Sequence, residues 1–380
     1  MSSVTVKPVT TRREQKQFLK LPWTIYRDDA NWIPPLRLNQ EELLSYRPHP
    51  FYDDAEVQTF LALRDGQVCG RVAAIVNHAH NRRYKERRGF FGFFESVDDQ
   101  QVASGLLDAA AAWLAERDIR AIRGPTNPSL NYECGLLIEA ADGFDGSPTF
   151  MMTYNPLYYA RLIEGYGFRK VQDLYAYWGH VDMLDTLDKK VHRIVVEVQR
   201  RFNVKLRPFD RKRFSEEVRT FLDIYNRSLG GTWGFVPLSN KESEHMGAGM
   251  RHLIVPEMTS MAEVDGKVIG SVFGMLDYNP RIRKINGRLL PFGFLRLLWN
   301  RRRIKRVRLI STNVVPEYQQ WGVGPLLLHR LVPGVLDWGI QEVEFSWVLE
   351  SNFLSWGTLQ RGGAIRTRTY RIYDYEPDAD

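Results

Sequence analysis

Two stretches of this chain match each other closely enough to fix its architecture. Leu61–Val76 reads LALRDGQVCGRVAAIV and Met261–Leu276 reads MAEVDGKVIGSVFGML. Each is an apolar run, an Asp-Gly turn and a second β-rich run containing glycine. Asp-Gly between strands predicts a hairpin, because a type I′ turn needs positive φ at both central residues. The elements after the hairpin repeat as well. A strand (GFFGFFESV or VRLISTNVV) leads to a helix (VASGLLDAAAAWLAERD or GPLLLHRLVPGVLDWG). Another strand comes next (IRAIRGP or EVEFSWVL), and each copy closes on EGYGFRKVQDLYAYW or LQRGGAIRTRTYRIYDY. Two copies of one α/β unit, residues 1–180 and 205–380, account for the length of the chain. Between them, residues 181–204 are expected to form an amphipathic linker helix leading into the first strand of the second copy.

Composition narrows the class without choosing a ligand. The 380 residues carry a net charge of +7, which suits CoA phosphates, anionic lipid and nucleic acid alike. The N-terminal MSSVTVKPVTTRREQKQF lacks an apolar core of signal-peptide length, and no apolar run is long enough to span a bilayer. The expected location is therefore the cytoplasm. Cys69 and Cys134 have no CxxC spacing and read as reduced packing residues. His78, His80 and His245 fall in expected loops. His78 and His80 have a spacing that could ligate a metal on a strand, but no third ligand stands nearby in sequence, so no metal is expected.

The chemistry-bearing motif is PEYQQWGVGPLLLHRL, directly after the strand VRLISTNVV. Gln319, Gly322 and Gly324 form Gln-x-x-Gly-x-Gly at a strand-to-helix junction. Glycines there let backbone N–H groups converge in a nest, and the helix N-terminus adds partial positive charge, a geometry suited to pyrophosphate. A plain tight turn would place the same glycines there. The first copy has ESVDDQQVASG at this point, where Asp98 and Asp99 would repel a phosphate.

These residues resemble the GNAT superfamily of acyl-CoA-dependent N-acyltransferases. NVVPEYQQWGVGPLLL looks like its pyrophosphate loop, and WVLESNFLSWGTLQRGGA like its following strand, Asn and terminal helix. The resemblance implies two tandem GNAT-like domains, each a mixed, mostly antiparallel twisted sheet flanked by helices. It implies that Gln319, Gln320, Trp321, Gly322, Val323 and Gly324 hold the pyrophosphate of acyl-CoA. Asn313, Val314 and Val315 would supply main-chain contacts, and Asn352 would help fix the cofactor arm. The N-terminal copy, with its altered loop, would then complete the acceptor pocket. FLKLPWTIYRDDANWIPPL, GFFGFF, GPTNPSLNYECGLL, GFDGSPTFMMTYNPLYYARLIEGYGF and GTWGFVPLS further resemble a bacterial tandem-GNAT family that includes bacterial ceramide synthases, which acylate the amine of a long-chain sphingoid base.

The stretch NPSLNYECGLLIEAADGFDGSPTFMMTYNPLYY has no clear period, and a loop of such length within a domain is uncommon unless functional. Phe150, Met151, Met152, Tyr158 and Tyr159 could form adaptable apolar pocket walls, or simply pack the interface between the two halves. Asn131 and Tyr132, with Trp233 and Phe235 of GTWGFVPLS, join them as substrate-binding candidates. Amide formation from a thioester needs a neutral amine, a stabilised oxyanion and a proton for the departing thiolate. A backbone N–H near Val314 or Val315 could serve the oxyanion. Glu350, ending the fifth strand, and Glu95, expected at the corresponding strand of the first copy, are candidate bases or ordinary surface carboxylates. Many GNAT enzymes use a Tyr seven residues after the Asn as general acid; here that position is Leu359. Tyr370 and Tyr373 on the last strand are the alternatives, and their spacing sets them on opposite faces.

LLPFGFLRLLWNRRRIKR, Leu289–Arg306, is an insertion relative to the first copy, which has NHAHNRRYKERRG, an expected short basic loop. Phe294, Leu297, Leu298 and Trp299 group at helical spacing, followed by Arg301, Arg302 and Arg303. Such a helix suits an anionic membrane interface, here the inner face of the membrane. It also suits packing on the protein with the arginines in water. No nucleic-acid motif accompanies the charge, so nucleic acid is not an expected partner. The function classes consistent with the sequence are an N-acyltransferase of ceramide-synthase type, an N-acetyltransferase for a small amine or peptide, an aminoacyl-tRNA-dependent transferase, and a non-catalytic acyl-CoA-binding module.

Overall fold

The computed structural model describes residues 3–186 and 189–377. The chain divides into two compact units, and contacts rather than the repeat boundaries draw the division. The first comprises residues 1–174, 279–294 and 368–380; the second comprises 175–278 and 295–367. Leu187 and Asp188 of the expected linker lie outside the described residues.

In the first unit β1 (Val4–Pro8) pairs antiparallel with β2 (Ala55–Arg64), which turns through Asp65-Gly66 into β3 (Gln67–Asn77). Asp65 and Gly66 both have positive φ (49° and 75°), as the predicted hairpin requires. β3 pairs with β4 (Arg88–Ser96), and β4 runs parallel to β5 (Ala121–Gly124). The expected basic loop between β3 and β4 is instead a helix, His78–Tyr84, because the Asn77 side chain accepts from His80 N and caps it. The helix Gln100–Ala115 covers one face of this sheet with Val102, Leu106, Ala110 and Leu114. The aperiodic stretch contains the short pair β6 (Thr126–Asn127) and β7 (Glu133–Cys134), then β8 (Leu136–Ala140), and ends at the helix Tyr158–Tyr166. β9 (Arg169–His180) comes next.

The second unit repeats the plan. The helix Lys189–Phe202 leads to β10 (Lys205–Arg207), which pairs with β11 (Thr259–Val264). β11 turns through Asp265-Gly266 into β12 (Lys267–Leu276), with φ of 50° and 76°. β12 pairs with β13 (Arg306–Val314), and β13 runs parallel to β14 (Glu342–Leu349). The helices Lys189–Phe202 and Val323–Trp338 close a core of Val195, Ile224, Val272, Val323, Leu326 and Leu327. His245 lies in the helix Asn240–Met250, not in a loop. β15 (Ile365–Tyr375) is the last described element; from Arg368 onward it belongs to the first unit, pairing with β5 and β8.

Candidate active site

In the second unit the ladder between β12 and β13 shifts register between Phe273 and Gly274, leaving Ile310 as the extra residue of a bulge. β13 and β14 stay paired only from Arg306↔Glu342 to Leu309↔Phe345. Among the described residues no pairing joins them beyond that rung. The Val315 N–H, one of two suggested oxyanion donors, donates to Ile269 O at 2.9 Å, so that part of the expectation is corrected: the group is committed to the sheet edge. Antiparallel ladders alternate the direction of successive N–H groups, so with Val315 turned toward β12, Val314 turns away from it. Its N–H therefore faces the side where β14 has parted, and its carbonyl accepts from Gln319 Nε2 at 3.1 Å. Asn313 is buried, donating to Ser311 Oγ (2.9 Å) and accepting from Ser228 Oγ (3.1 Å), and by the same alternation its main chain, opposite Ser271, turns toward β12.

A 3₁₀ turn, Pro316–Trp321, carries the chain from β13 to Gly322, whose φ of 79° favours glycine. The helix Val323–Trp338 begins there, and no side chain caps it. Trp321 stacks on Phe202 with ring centroids 3.9 Å apart, and Val323 is buried in the core. Gln320 and Gln319 are exposed, while Gly322 and Gly324 are half-buried. The loop thus offers a ligand mostly backbone, on a core-anchored turn. Asn352 caps the helix Phe353–Arg361, its Oδ1 accepting from Ser355 N at 3.2 Å. Glu350 lies in the turn after β14, and Leu359 sits half-buried in that helix. Trp233 and Phe235 lie after the helix Phe214–Ser228, where buried Phe235 meets Tyr225 edge-on at 5.4 Å.

The first unit has the same parts filled from within. The Asp99 carboxylate caps the helix Gln100–Ala115, accepting from Gln101 N (2.8 Å) and Val102 N (3.4 Å), and pairs with Arg64 at 2.8 Å. Arg64 and these amides hold its carboxyl below the usual range. β4 also carries a register shift, and there Phe93 N donates to Asn127 Oδ1 at 2.6 Å. A Cβ on Gly92 would collide with the Thr126 carbonyl oxygen, so β6 lies tight against β4 where β5 ends. The protein's own carboxylate and carboxamide thus occupy the helix N-terminus and the bulge.

Glu95 occupies the register position opposite Arg71 on β3, as Asn313 does opposite Ser271. Its counterpart is therefore Asn313 and not Glu350, which corrects the expected correspondence. The carboxylate is enclosed: Oε2 accepts from Tyr26 (2.9 Å) and Tyr159 (2.7 Å), and Arg71 Nη2 lies 3.4 Å from Oε1. Burial pushes its pKa up, opposed by Arg71 and the two phenols. Tyr159 is buried in the core and Tyr158 donates to Ser96 O at 2.8 Å. Phe150 and Met152 are buried, Met151 is half-buried with φ of 62°, and Tyr132 packs edge-on to Phe51 at 6.0 Å beside half-buried Asn131. Tyr370 and Tyr373 are both fully buried; Tyr373 donates to Glu164 at 2.9 Å, and burial beside that carboxylate pushes its pKa up. The structure therefore groups Glu95, Tyr158 and Tyr159 in one unit, and Asn313–Val315 with the Gln319–Gly324 loop in the other.

No family model matches the chain. Protein YghO of Escherichia coli is 34% identical over 375 residues, covering 97% of this chain and 94% of that protein. The bacterial ceramide synthase of Caulobacter vibrioides is 32% identical over 382 residues, covering 98% and 97%. A solved tandem GNAT protein from the clavulanic acid biosynthesis pathway matches 100% of both chains with a TM-score of 0.58 at 11% identity. A GCN5-related N-acetyltransferase from Sphaerobacter thermophilus gives 0.51 at 13%, covering 99% and 97%. The chain is a tandem-GNAT acyltransferase. At such identities the solved structures establish the fold, and the two full-length relatives establish the family.

The insertion of this acyltransferase contains a helix of only six residues, Gly293–Leu298, before Asn300 turns with φ of 47° into a 3₁₀ turn of Arg301–Arg303. Leu297 is 3% exposed and Leu298 half-buried, so the expectation that both face a membrane is corrected: they hold the helix down. Trp299 is 79% exposed, Leu290 78%, Phe292 68%, Leu295 63% and Phe294 37%. Arg302 and Arg303 are exposed, while half-buried Arg301 donates to His252 O at 2.8 Å. Sequence reasoning missed Tyr26, Arg71, Asn127 and Arg308. A signal existed for Arg71, a lone cation in an apolar strand run, but not for Arg308, which shares its strand with Arg306 at the end of a basic run.

Proposed function

We propose that this acyltransferase moves the acyl group of a long-chain acyl-CoA to the amine of a long-chain sphingoid base at an anionic membrane surface. The observation that carries the acceptor class is the full-length likeness to the bacterial ceramide synthase. The reading gives acyl-CoA to the C-terminal copy and acceptor recognition to the N-terminal one. Its support is the contrast between the copies: the uncapped helix after Gly322 is available to a pyrophosphate, while Asp99 already fills the equivalent helix end. Exposed Leu295 and Trp299, with Arg302 and Arg303, support the membrane surface. Among the described residues no helix is long and apolar enough to cross a membrane.

In the proposed reaction the neutral amine attacks the thioester carbonyl, the C–S bond breaks, and a proton passes from nitrogen toward the departing thiolate. The Val314 N–H is the oxyanion donor. Glu350, in the turn after β14, is the proposed base, acting directly or through water, because Glu95 is committed to its own enclosed network. Purified protein incubated with acetyl-CoA or a long-chain acyl-CoA and a sphingoid base, with free thiol and amide followed together, tests the proposal. Amide from the long-chain donor supports it; turnover of acetyl-CoA alone would refute it.

A further inference from the structure

The fork between β13 and β14 is held by a side chain. The last backbone rung is Leu309↔Phe345, so the Ser346 carbonyl is the first on β14 beyond the ladder. Arg308 Nη2 donates to that carbonyl at 3.1 Å, and Arg308 Nε donates to Ser346 Oγ at 2.9 Å. Ser346 Oγ in turn donates to Glu344 Oε1 at 2.7 Å. Glu344 stands opposite Arg308 in the parallel register. The guanidinium also lies over the Trp347 ring, 5.1 Å from its centroid. Arg308 is 2% exposed, Ser346 3% and Glu344 6%.

Desolvating a guanidinium inside a sheet is costly unless its donors and charge are met. Stability alone is a poor reason for the cost, because a hydrophobic residue would pack the same strand face. We propose that Arg308 is a positioning residue: its fork continues the β13–β14 connection by one side-chain rung and then stops, fixing where the strands part and how wide the opening is. This rests on the reading that acyl-CoA lies in the opening of the C-terminal copy. A planar group bonding both the carbonyl and the hydroxyl of one residue sets distance and direction together, which a flexible ammonium does not. The strap sits at the root of the opening, so it acts on the acyl-CoA arm rather than on the reacting atoms.

The test compares Arg308→Lys, Arg308→Met and Ser346→Ala with wild type, measuring kcat and KM for acyl-CoA and for acceptor separately, with CoA affinity by calorimetry and folding by circular dichroism. Arg308→Lys should fold, raise the acyl-CoA KM and the CoA dissociation constant about tenfold, and leave the acceptor KM within about twofold. Ser346→Ala should give a smaller shift in the same direction, about threefold. A folded Arg308→Lys or Ser346→Ala with unchanged acyl-CoA KM overturns the proposal. Should Arg308→Met not fold, the other two variants decide it. Wild-type protein that binds no CoA would instead sink the site reading on which the strap depends.

Discussion

Replacing Arg71 by Met isolates the group that holds Glu95 inside the first unit. Arg71 is buried, with Nη1 donating to Phe18 O at 2.9 Å and its guanidinium over the Phe18 ring at 4.8 Å. Met keeps much of the volume and removes the charge. Glu95 then has only the Tyr26 and Tyr159 hydroxyls, and its pKa, already raised by burial above 4.5, rises further. A carboxyl whose folded pKa lies above its unfolded value contributes stability below the unfolded pKa and loses it as pH climbs through the folded one. The deficit of Arg71→Met should therefore be small near pH 5 and larger near pH 8, reaching about 3–5 kcal/mol if the carboxylate is forced to ionise unpaired. Adding Glu95→Gln to Arg71→Met removes the ionisable group, so the double variant should recover about 2 kcal/mol at about pH 8 and lose the pH dependence. Urea titrations at both pH values, followed by far-ultraviolet circular dichroism, measure this. An equal deficit at both values, or single effects that add within about 0.5 kcal/mol, would refute the enclosed-pair account. The same variants bear on catalysis. If Glu95 is structural, folded Glu95→Gln keeps kcat within about threefold of wild type, whereas loss of a general base costs about a hundredfold or more.

Gly322→Val should abolish CoA binding while leaving the protein folded, since a β-branched residue is strained at a φ of 79° and the nest depends on that turn; calorimetry with CoA reads it. Wild-type protein should titrate with one CoA per chain, because Asp99 and Asn127 fill the equivalent positions of the first copy; two sites would contradict that. Glu350→Gln should lower kcat about a hundredfold with little change in acyl-CoA KM, and unchanged kcat removes the residue from the mechanism. Leu295→Ser with Trp299→Ser should abolish flotation with vesicles containing anionic phospholipid without moving the urea midpoint. Leu297→Ala should instead cost about 2–5 kcal/mol of stability, because its side chain is buried.

The tandem architecture was legible because its signals are local. An Asp-Gly pair needs positive φ wherever it joins strands, and both copies adopt it. The Gln319–Gly324 loop could be located for the same reason, since a positive-φ glycine at a strand-to-helix junction announces itself in a short window. The exposed residues of the insertion were less legible. Helical spacing pointed to a helix through Phe294, Leu297 and Leu298, and Gly293–Leu298 is one, but spacing does not say which side of a six-residue helix meets the protein, and Leu297 turned inward while Phe294, Leu295 and Trp299 stayed out.

The buried polar clusters were the hardest to read, and the physical cause is range. Glu95 meets Tyr26 and Tyr159, and Phe93 meets Asn127, across sequence separations that no local period can encode. Yet the repeat converts part of that problem into a comparison of equivalents. At one ladder position the first copy has Arg71 opposite Glu95 and the second has Ser271 opposite Asn313. At the helix entrance the first has Asp99, whose carboxylate satisfies the orphan amides, and the second has Gly322, which satisfies none by side chain. A fold that internalises its own anion at one copy and leaves the equivalent helix end uncapped at the other has divided its duplicated framework by chemistry rather than by shape. The asymmetry favours a single acyl-CoA on the C-terminal copy, and it makes the first copy's closed bulge, not merely its altered loop sequence, the reason to expect no second one.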